Sequence, residues 1–491
     1  MGTSEPFATA ALVFTFGLLM AVSVLFSRAL EKLGVPILLL FLLLGIAAGS
    51  EGIGGIEFDN YQFAFRIGAL ALILILFDGG LNTPWRSVKG GLAPATSLAT
   101  FGVVGAAGLT ACAARLFGLG WPEALLLGAV ISSTDAAAVF AVLRGSRLNL
   151  QKRAGVTLEL ESGLNDPMAV ILTTAFTQMV VSGAAPSWNL LWQAPLQLVI
   201  GALVGLLVGW TGLAILSRIR LRAGGLYPVL TLGFALIAFG AATLVFGSGF
   251  LAVYTAGVVI GNSRTPYRYG LKRIHDAMAW LGQISMFLIL GMLVFPSQLI
   301  GAAPLGIGIA LFLAFVARPL ATFLCLAPFR YSRSHVTFIA WAGLRGAVPI
   351  ILATIPVLAD APGAMRVFNI VFFVVFVNAL LPGATLRWAT KRLGLEQSQP
   401  PDPPAVVEIN STQLLDGEVL LFYIDESLAV AGVSIAKLSL PEGSAVLLVM
   451  RGAELIAARG GTVLTPGDHV YLFCHEKDRP FIDLLFGRPS T

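Results

Sequence analysis

Long apolar stretches recur along most of the chain, and each is about as long as a bilayer is thick. Runs of roughly 17–25 hydrophobic residues suit helices that cross the ~30 Å hydrocarbon core of a membrane. The ninth is short, as half of a longer, tilted element would be. The pattern predicts about thirteen transmembrane helices, near residues 8–27, 35–50, 64–81, 92–114, 122–143, 156–181, 192–217, 226–246, 250–262, 274–295, 302–328, 336–357 and 364–388.

The basic residues between these stretches give an independent test of the count. Every second loop is basic, so that twenty Lys and Arg residues lie on one side of the membrane and only Arg66, Arg115 and Arg366 on the other. Basic residues accumulate in cytoplasmic loops. The N-terminus is therefore predicted outside and the C-terminus in the cytoplasm, and a missed or additional span would disrupt the alternation.

Composition agrees with a membrane protein. Of the 491 residues, 57% are hydrophobic and 12% are charged, with a mean hydropathy of +0.87. A water-soluble protein of this size needs more charge to cover its surface. The pI near 9.2 raises the question of nucleic acid, but the basic residues follow the membrane loops. Membrane lipid, and no nucleic acid polymer, is the predicted partner.

A Gln- and Pro-rich segment divides the chain into two predicted domains. Residues 1–395 form the transmembrane domain, 396–404 an extended linker, and 405–491 a small cytoplasmic α+β domain. Within the latter, strand-like runs at 418–424, 445–450 and 469–474, a turn at 466–468 and a helix at 426–438 are predicted. A domain this small would bury a core more readily as a dimer.

Four spans carry polar groups near the middle of the bilayer, where charge is costly and usually functional. At 1.5 Å of rise per residue, Asp166 lies roughly 15 Å from one end of its span, and Arg345 about 14 Å. Thr134 and Asp135 fall at a similar depth. The third span adds Asp78. Random placement would not favour one common depth, which predicts a site at the midplane.

The spacing within these spans indicates how the groups are arranged. Ser162 and Asp166 are four residues apart and share a helix face, whereas Glu161 points elsewhere, which suggests an ion pair with Arg345. The fifth and twelfth spans are both interrupted by small residues or by Gly and Pro. They lie seven spans apart and so have opposite orientations, as an inverted repeat with broken helices requires. Unwound segments expose carbonyls, and oxygen ligands suit a monovalent cation.

These motifs resemble a known family. Thr134-Asp135 followed by Glu161-Ser162-x-x-Asn165-Asp166-Pro167 resembles the cation:proton antiporter superfamily, sodium/proton exchanger branch. Residues 343–347, Gly-Leu-Arg-Gly-Ala, resemble the arginine motif of that branch, and 406–491 resemble the TrkA-C (RCK_C) regulatory module. The combination is similar to bacterial potassium/proton antiporters.

The resemblance implies roles for the site residues. Asp166 would bind cation and proton in competition, while Asp135, Ser162 and Thr134 would complete the monovalent cation site. Asn165 occupies the position of a second Asp in electrogenic relatives, which implies one proton exchanged per cation.

The resemblance also implies a structural ion pair between Glu161 and Arg345 and an accessory role for Asp78. From it we expect a homodimer in the bacterial inner membrane.

The predicted function is electroneutral K⁺/H⁺ exchange by alternating access, with Asp166 as the shared carboxylate. Na⁺/H⁺ exchange is the alternative, because oxygen ligands do not encode ion size; the C-terminal module favours potassium. A gated potassium channel is less favoured because no Thr-Val-Gly-Tyr-Gly filter is present. An enzyme is not predicted, since no Ser/His/Asp set, metal cluster or phosphate loop is visible.

Cofactors are not predicted for the membrane domain, which needs only the transported K⁺ (or Na⁺) and H⁺. For the C-terminal domain, a nucleotide ligand and a pure dimer scaffold both stay open. The Gly-x-Gly-x-x-Gly half that usually precedes such modules is missing, so NAD is not the predicted ligand.

Overall fold

The computed structural model describes residues 5–33, 37–145, 148–183, 190–263, 265–397, 417–487 and 489. The chain divides into two units. The first comprises residues 1–215, 228–263 and 272–397, and the second comprises 216–227, 264–271 and 398–491.

Seventeen α-helices occupy the described residues up to 397. They are α1 (Glu5–Leu33), α2 (Ile37–Ala48), α3 (Tyr61–Asn82), α4 (Trp85–Ser97), α5 (Val103–Leu116), α6 (Trp121–Val130), α7 (Ala136–Gly145), α8 (Lys152–Ser182), α9 (Leu190–Arg218), α10 (Leu226–Leu244), α11 (Gly249–Gly261), α12 (Arg268–Met292), α13 (Pro296–Phe312), α14 (Arg318–Leu326), α15 (Arg333–Trp341), α16 (Val348–Leu358) and α17 (Ala364–Arg392). Single π-helical turns, Leu98–Gly102 and Leu313–Ala317, join α4 to α5 and α13 to α14.

The helices agree with the predicted spans. Each of the thirteen apolar stretches coincides with one helix or with two consecutive helices. Seven helical segments of the described chain are long and apolar enough by themselves to cross a membrane: Tyr61–Asn82, Gly90–Leu116, Trp192–Arg218, Leu226–Leu244, Arg268–Met292, Pro296–Phe329 and Ala364–Arg392. Helix α8 is less apolar than these segments because it carries polar residues such as Asn165 and Asp166.

The two predicted helix breaks are confirmed, and they contact each other. The fifth span unwinds between α6 and α7, and the twelfth between α15 and α16. The backbone N–H of Asp135 donates to the carbonyl oxygen of Leu344 at 2.8 Å. A Cβ atom at Gly346 would lie only 1.9 Å from Oδ2 of Asp135, so this close approach requires glycine.

Helices α3 and α11 also pack with their backbones in close contact. A Cβ at Gly80 would lie 2.4 Å from the carbonyl oxygen of Tyr254, and one at Gly257 would lie 2.7 Å from that of Phe77. Small residues permit such an approach between membrane helices. The packing fixes the end of α3 against α11 and against α8.

A two-stranded sheet ties the end of the last membrane helix to the start of α8. Strand β1 (Asn149–Leu150) pairs antiparallel with β2 (Glu396–Gln397). The first two residues of the predicted linker 396–404 are therefore strand residues, because their backbone groups find partners in the loop before α8. Residues 398–404 lie outside the described residues, and the predicted domain boundaries stay predictions.

The C-terminal residues form an antiparallel sheet of four strands with one helix. The strand order is β3-β6-β4-β5, with β3 (Glu418–Tyr423), β4 (Ala445–Arg451), β5 (Glu454–Ala457) and β6 (Asp468–Cys474), followed by α18 (Arg479–Phe486). Phe422, Val470, Leu472, Ile482 and Phe486 are buried in its core. The three predicted strands are present, whereas β5 and α18 were not predicted.

The helix predicted at 426–438 is wrong. The segment consists of turns with one short 3₁₀ turn, Ile435–Lys437. Gly432 has a φ of +79°, which a regular right-handed helix excludes. Its N–H donates to the carbonyl of Leu464 at 2.7 Å, so the backbone is satisfied by a distant segment instead of by a helix.

A buried carboxylate organises the turn into β6. Asp468 accepts hydrogen bonds from Nε and Nη2 of Arg451 at 2.8 and 2.9 Å, and from the N–H of Thr465 at 2.8 Å. Gly467 has a φ of +95°, the conformation that the predicted turn needs. Burial acts to raise the pKa of Asp468, but these hydrogen bonds outweigh it and hold the pKa below its ordinary value.

We expect Asp468→Asn to lower the unfolding free energy of the C-terminal domain by about 2 kcal/mol at neutral pH, because charge-assisted hydrogen bonds are lost. A carboxylate with a lowered pKa stabilises above its unfolded pKa of about 3.9, and the effect is lost as the pH falls through the lowered value. Pulse proteolysis of the full-length protein in urea, with thermolysin at about pH 7 and pepsin at about pH 3, measures the difference.

The exposed Asp425 supplies the control. Asp425→Asn is expected to leave the urea midpoint unchanged. A full effect of Asp468→Asn that persists at the lower pH would contradict the assignment.

Candidate cation and proton site

Helix α8 places three polar residues against the break between α6 and α7. Asp166 accepts a short hydrogen bond from Oγ of Ser133. Asn165 donates from Nδ2 to Oγ1 of Thr134 at 2.5 Å, and Ser162 donates from Oγ to the carbonyl of Thr134 at 3.0 Å. The structure thus brings together four of the five predicted ligands, Asp166, Asn165, Ser162 and Thr134.

Ser133 is a member of this site that the sequence-based ligand set missed. It lies in the polar run before Asp135, so its residue type gave a signal. The rotation of an unwound backbone, however, cannot be derived from helical periodicity, and that rotation decides which hydroxyl points at Asp166.

The fifth predicted ligand, Asp135, immediately precedes α7. Its Oδ1 accepts from the N–H of Ala138 at 3.0 Å, which is the hydrogen bond of a helix N-cap. Its other carboxylate oxygen, Oδ2, lies beside Gly346 in the opposite break. Asp135 therefore connects the two breaks, and its role as a direct cation ligand stays a prediction.

The site is buried and rich in oxygen atoms. Asp166 is 5% exposed and Asn165 is 0% exposed. The carboxylate of Asp166, the hydroxyls of Ser133 and Ser162 and the carbonyl of Thr134 present hard oxygen atoms, the type of ligand that suits a small cation stripped of water. Oδ1 of Asn165 is buried and has no hydrogen-bond partner among the residues that the structure describes, which leaves one further oxygen available.

The predicted ion pair between Glu161 and Arg345 is wrong, because Glu161 pairs with Arg318 instead. The carboxylate of Glu161 accepts from both terminal nitrogens of Arg318, at 2.5 and 2.9 Å, and both side chains are buried. A Cβ at Gly343 would lie 2.5 Å from Nε of Arg318, so the missing side chain lets Arg318 pass to α8. The signal in the sequence was a lone arginine within an apolar span.

Arg345 instead binds backbone. Its Nη1 donates to the carbonyl of Ser132 at 2.9 Å and to that of Ser133. These carbonyls follow the last turn of α6, where helix carbonyls lack partners and a cation is favourable. Arg345 therefore stabilises the break from the opposite half of the fold.

Asp78, the predicted accessory acid, lies on α3. Its Oδ1 accepts from Nδ2 of Asn82 at 3.0 Å, one turn along the same helix. Its part in transport stays a prediction.

Comparison with known proteins identifies the family. The model of the family "Sodium/hydrogen exchanger, transmembrane" matches residues 18–392, and that of the TrkA-C domain matches 419–480. The chain belongs to the sodium/hydrogen exchanger family.

Several relatives of this exchanger are similar over nearly the whole chain. A K(+)/H(+) antiporter NhaP2 of Shewanella sp. (strain ANA-3) is 41% identical over 480 residues, covering 96% of this chain and 83% of the relative. A K(+)/H(+) antiporter NhaP of Alkalimonas amylolytica is 38% identical over 483 residues, covering 98% and 84%.

A solved structure supports the fold of the exchanger. The electron-microscopy structure of the sodium proton antiporter MjNhaP1 from Methanocaldococcus jannaschii matches with a TM-score of 0.65 and 25% identity, covering 81% of this chain and all of that one. A second structure of MjNhaP1, at pH 8, has a TM-score of 0.64 and 23% identity, covering 76% and 99%.

The pairing of Glu161 can be tested with two double-mutant cycles. Removing one partner of a buried ion pair costs about 3–5 kcal/mol, because the other charge is left unpaired. We expect Glu161→Gln and Arg318→Gln each to lower the melting temperature of the purified exchanger, and the double variant to lose less than the sum.

The matched cycle combines Glu161→Gln with Arg345→Gln. The decreases in melting temperature of its two single variants are expected to add up more nearly to that of the double variant, because Arg345 binds backbone carbonyls and not Glu161. Stronger coupling in this cycle than in the first would restore the original pairing.

Proposed function

We propose that this exchanger moves K⁺ against H⁺ across the bacterial inner membrane. The observation that carries the proposal is the buried carboxylate of Asp166, bonded to a serine hydroxyl beside an unwound helix. The choice of K⁺ is supported by the two relatives that are 41% and 38% identical to this chain, both of which are named K(+)/H(+) antiporters. The oxygen-rich surroundings of Asp166 support a site for a cation stripped of water.

Competition at Asp166 would couple the two fluxes. A bare carboxylate in a dry site is costly, so Asp166 holds either a proton or a cation when the site changes sides. A cation that enters displaces the proton, and on the other side a proton displaces the cation. Ser133, Thr134 and Ser162 would supply neutral oxygens, and Asp135 a second carboxylate. Alternating access exposes this one site to each side in turn.

The neutral residue beside Asp166 supports electroneutral exchange. Asn165 donates a hydrogen bond to Thr134 and carries no proton to exchange. With one exchangeable carboxylate occupied by either ion, one H⁺ would move for each K⁺.

Sodium would also suit the oxygen atoms around Asp166, since oxygen ligands do not encode ion size. A relative that is 26% identical over 346 residues is named Na(+)/H(+) antiporter NhaS2, from Synechocystis sp.. Sodium is therefore the second candidate.

The exchanger would have a defined orientation and oligomeric state in the membrane. The excess of basic residues in alternate loops supports an N-terminus outside and a C-terminus in the cytoplasm. We propose a homodimer in lipid, with the TrkA-C domain as a regulatory module, for which a nucleotide ligand and dimer scaffolding are the two alternatives.

Asp166→Asn is expected to abolish exchange while the protein still folds, because the amide cannot release a proton. Proteoliposomes with an imposed pH gradient and an internal pH dye receive K⁺ or Na⁺ in turn. Dissipation by K⁺ that is lost in the variant is the expected result. The control is Glu57→Gln, an exposed acid of the loop before α3, which is expected to exchange like the wild type.

Three other results of the proteoliposome assay would change the proposal. Dissipation by Na⁺ alone would reassign the cation. Cation flux without proton movement would indicate a channel, and cation-driven proton movement in Asp166→Asn would contradict the role of Asp166.

Electroneutral exchange predicts that the rate is independent of membrane potential. We expect the wild-type rate to stay within about twofold when a potential of about 100 mV is imposed with an ion that the protein does not carry, although one net charge would gain about 2.3 kcal/mol. Asn165→Asp supplies the comparison, because it adds a second exchangeable carboxylate. A potential-dependent wild type would contradict the one-to-one exchange.

A further inference from the structure

The third acid of α8, Glu159, is absent from the site described above. It precedes Asp166 by seven residues, which is two helical turns or roughly 10.5 Å along the helix and the same face. It also follows Lys152, the first residue of α8, by seven residues. Glu159 therefore lies between Asp166 and the end of α8 that is cytoplasmic in the proposed orientation.

Glu159 accepts a hydrogen bond from a neutral hydroxyl. Oγ1 of Thr83, at the end of α3, donates to Oε1 of Glu159 at 3.0 Å. The same hydroxyl lies 3.1 Å from the hydroxyl of Tyr254 on α11. Glu159 of α8, Thr83 after α3 and Tyr254 of α11 thus form one polar cluster, in which Thr83 and Tyr254 are buried and Glu159 is half-buried.

The charge of Glu159 has no cationic partner among the described residues. Its neighbour Glu161, two residues further along α8, is bound by both terminal nitrogens of Arg318. No Lys or Arg that the structure describes lies within ion-pair distance of Glu159. A half-buried carboxylate that lacks a basic partner favours a mobile cation beside it.

Tyr254 links this cluster to the site at Asp166. A Cβ at Gly163 would lie 2.9 Å from the ring of Tyr254, so the glycine makes room for the ring on α8. Gly163 is one turn beyond Glu159 and three residues before Asp166. The ring therefore contacts α8 between the two carboxylates, at a place where a bulkier residue on α8 would displace it.

We propose that Glu159 binds the incoming cation on the path between the cytoplasm and Asp166, with Thr83 and Tyr254 as positioning residues. This inference rests on the proposed exchange function. The carboxylate and the hydroxyl of Thr83 replace part of the hydration shell of a monovalent cation. The cation then moves past Tyr254 to Asp166, and Glu159 concentrates it at that side of the membrane only.

The test is the cation dependence of exchange from each side of oriented proteoliposomes, with the cation that the wild type carries. Glu159→Gln is expected to raise the apparent KM on the side of the Lys152 end of α8 about tenfold, the lower end of what charged clefts achieve. The kcat at saturating cation and the KM on the opposite side are expected to stay within about twofold. Glu159→Asp, which keeps the charge, is expected to recover most of the lost affinity.

Two further variants keep the carboxylate of Glu159 and each remove one hydroxyl group from the cluster. Thr83→Val and Tyr254→Phe are each expected to raise the same one-sided KM by less than Glu159→Gln does. They also keep the test decisive if Glu159→Gln does not fold. The matched control is Asp276→Asn, which removes an exposed acid from α12 and is expected to leave both KM values unchanged.

Failure of this inference is distinct from failure of the proposed function. A wild type that exchanges normally, with an unchanged KM in Glu159→Gln or an equal rise on both sides, would overturn the role of Glu159 alone. A loss of kcat at an unchanged KM would also overturn it, by pointing to a structural role. A wild type without cation-driven proton movement would overturn both.

Discussion

The absence of water from the bilayer core is the constraint on which this structure depends, since each polar backbone group there must find a partner within the protein. Both helix breaks leave such groups free. Arg345 binds the carbonyls of Ser132 and Ser133, and the N–H of Asp135 binds the carbonyl of Leu344. Each break therefore supplies the partners that the other needs. The site at Asp166 lies beside this irregular backbone, where carbonyls and hydroxyls are available to an ion.

The same constraint separates the three acids of α8 by role. Glu161 is paired with Arg318, which makes it a fixed charge that stabilises the packing. Asp166 and Glu159 are bonded to the hydroxyls of Ser133 and Thr83, which are neutral groups. A neutral hydrogen-bond partner does not neutralise the charge of a carboxylate. A proton or a cation, either of which can dissociate, then balances that charge. Pairing, more than residue type, thus separates Glu161 from Asp166 and Glu159, the two acids for which we propose roles in transport.

Glycine allows these contacts to form. Gly346 admits Asp135, Gly343 admits Arg318 and Gly163 admits Tyr254, in each case because a Cβ atom would meet the neighbouring side chain at 2.9 Å or less. Dispersion and close packing hold membrane helices together where no hydrophobic driving force acts between them. The glycines therefore contribute to the site because the absence of a Cβ atom makes room for the neighbouring side chain.

The membrane class, the positions of the spans and the two breaks could all be predicted from the order of residues, because apolar length and interruption by small residues are local properties. The sequence also indicated Asp166, Asn165, Ser162 and Thr134, which lie on one helix and on the adjacent unwound segment. The pairing of Glu161 with Arg318, 157 residues away, in place of Arg345 could not be predicted in this way. That choice depends on helix packing across Gly343, which periodicity does not encode. The turns at 426–438, where Gly432 bonds to Leu464, show the same limit, because a long-range partner there replaces the helix that local composition favoured.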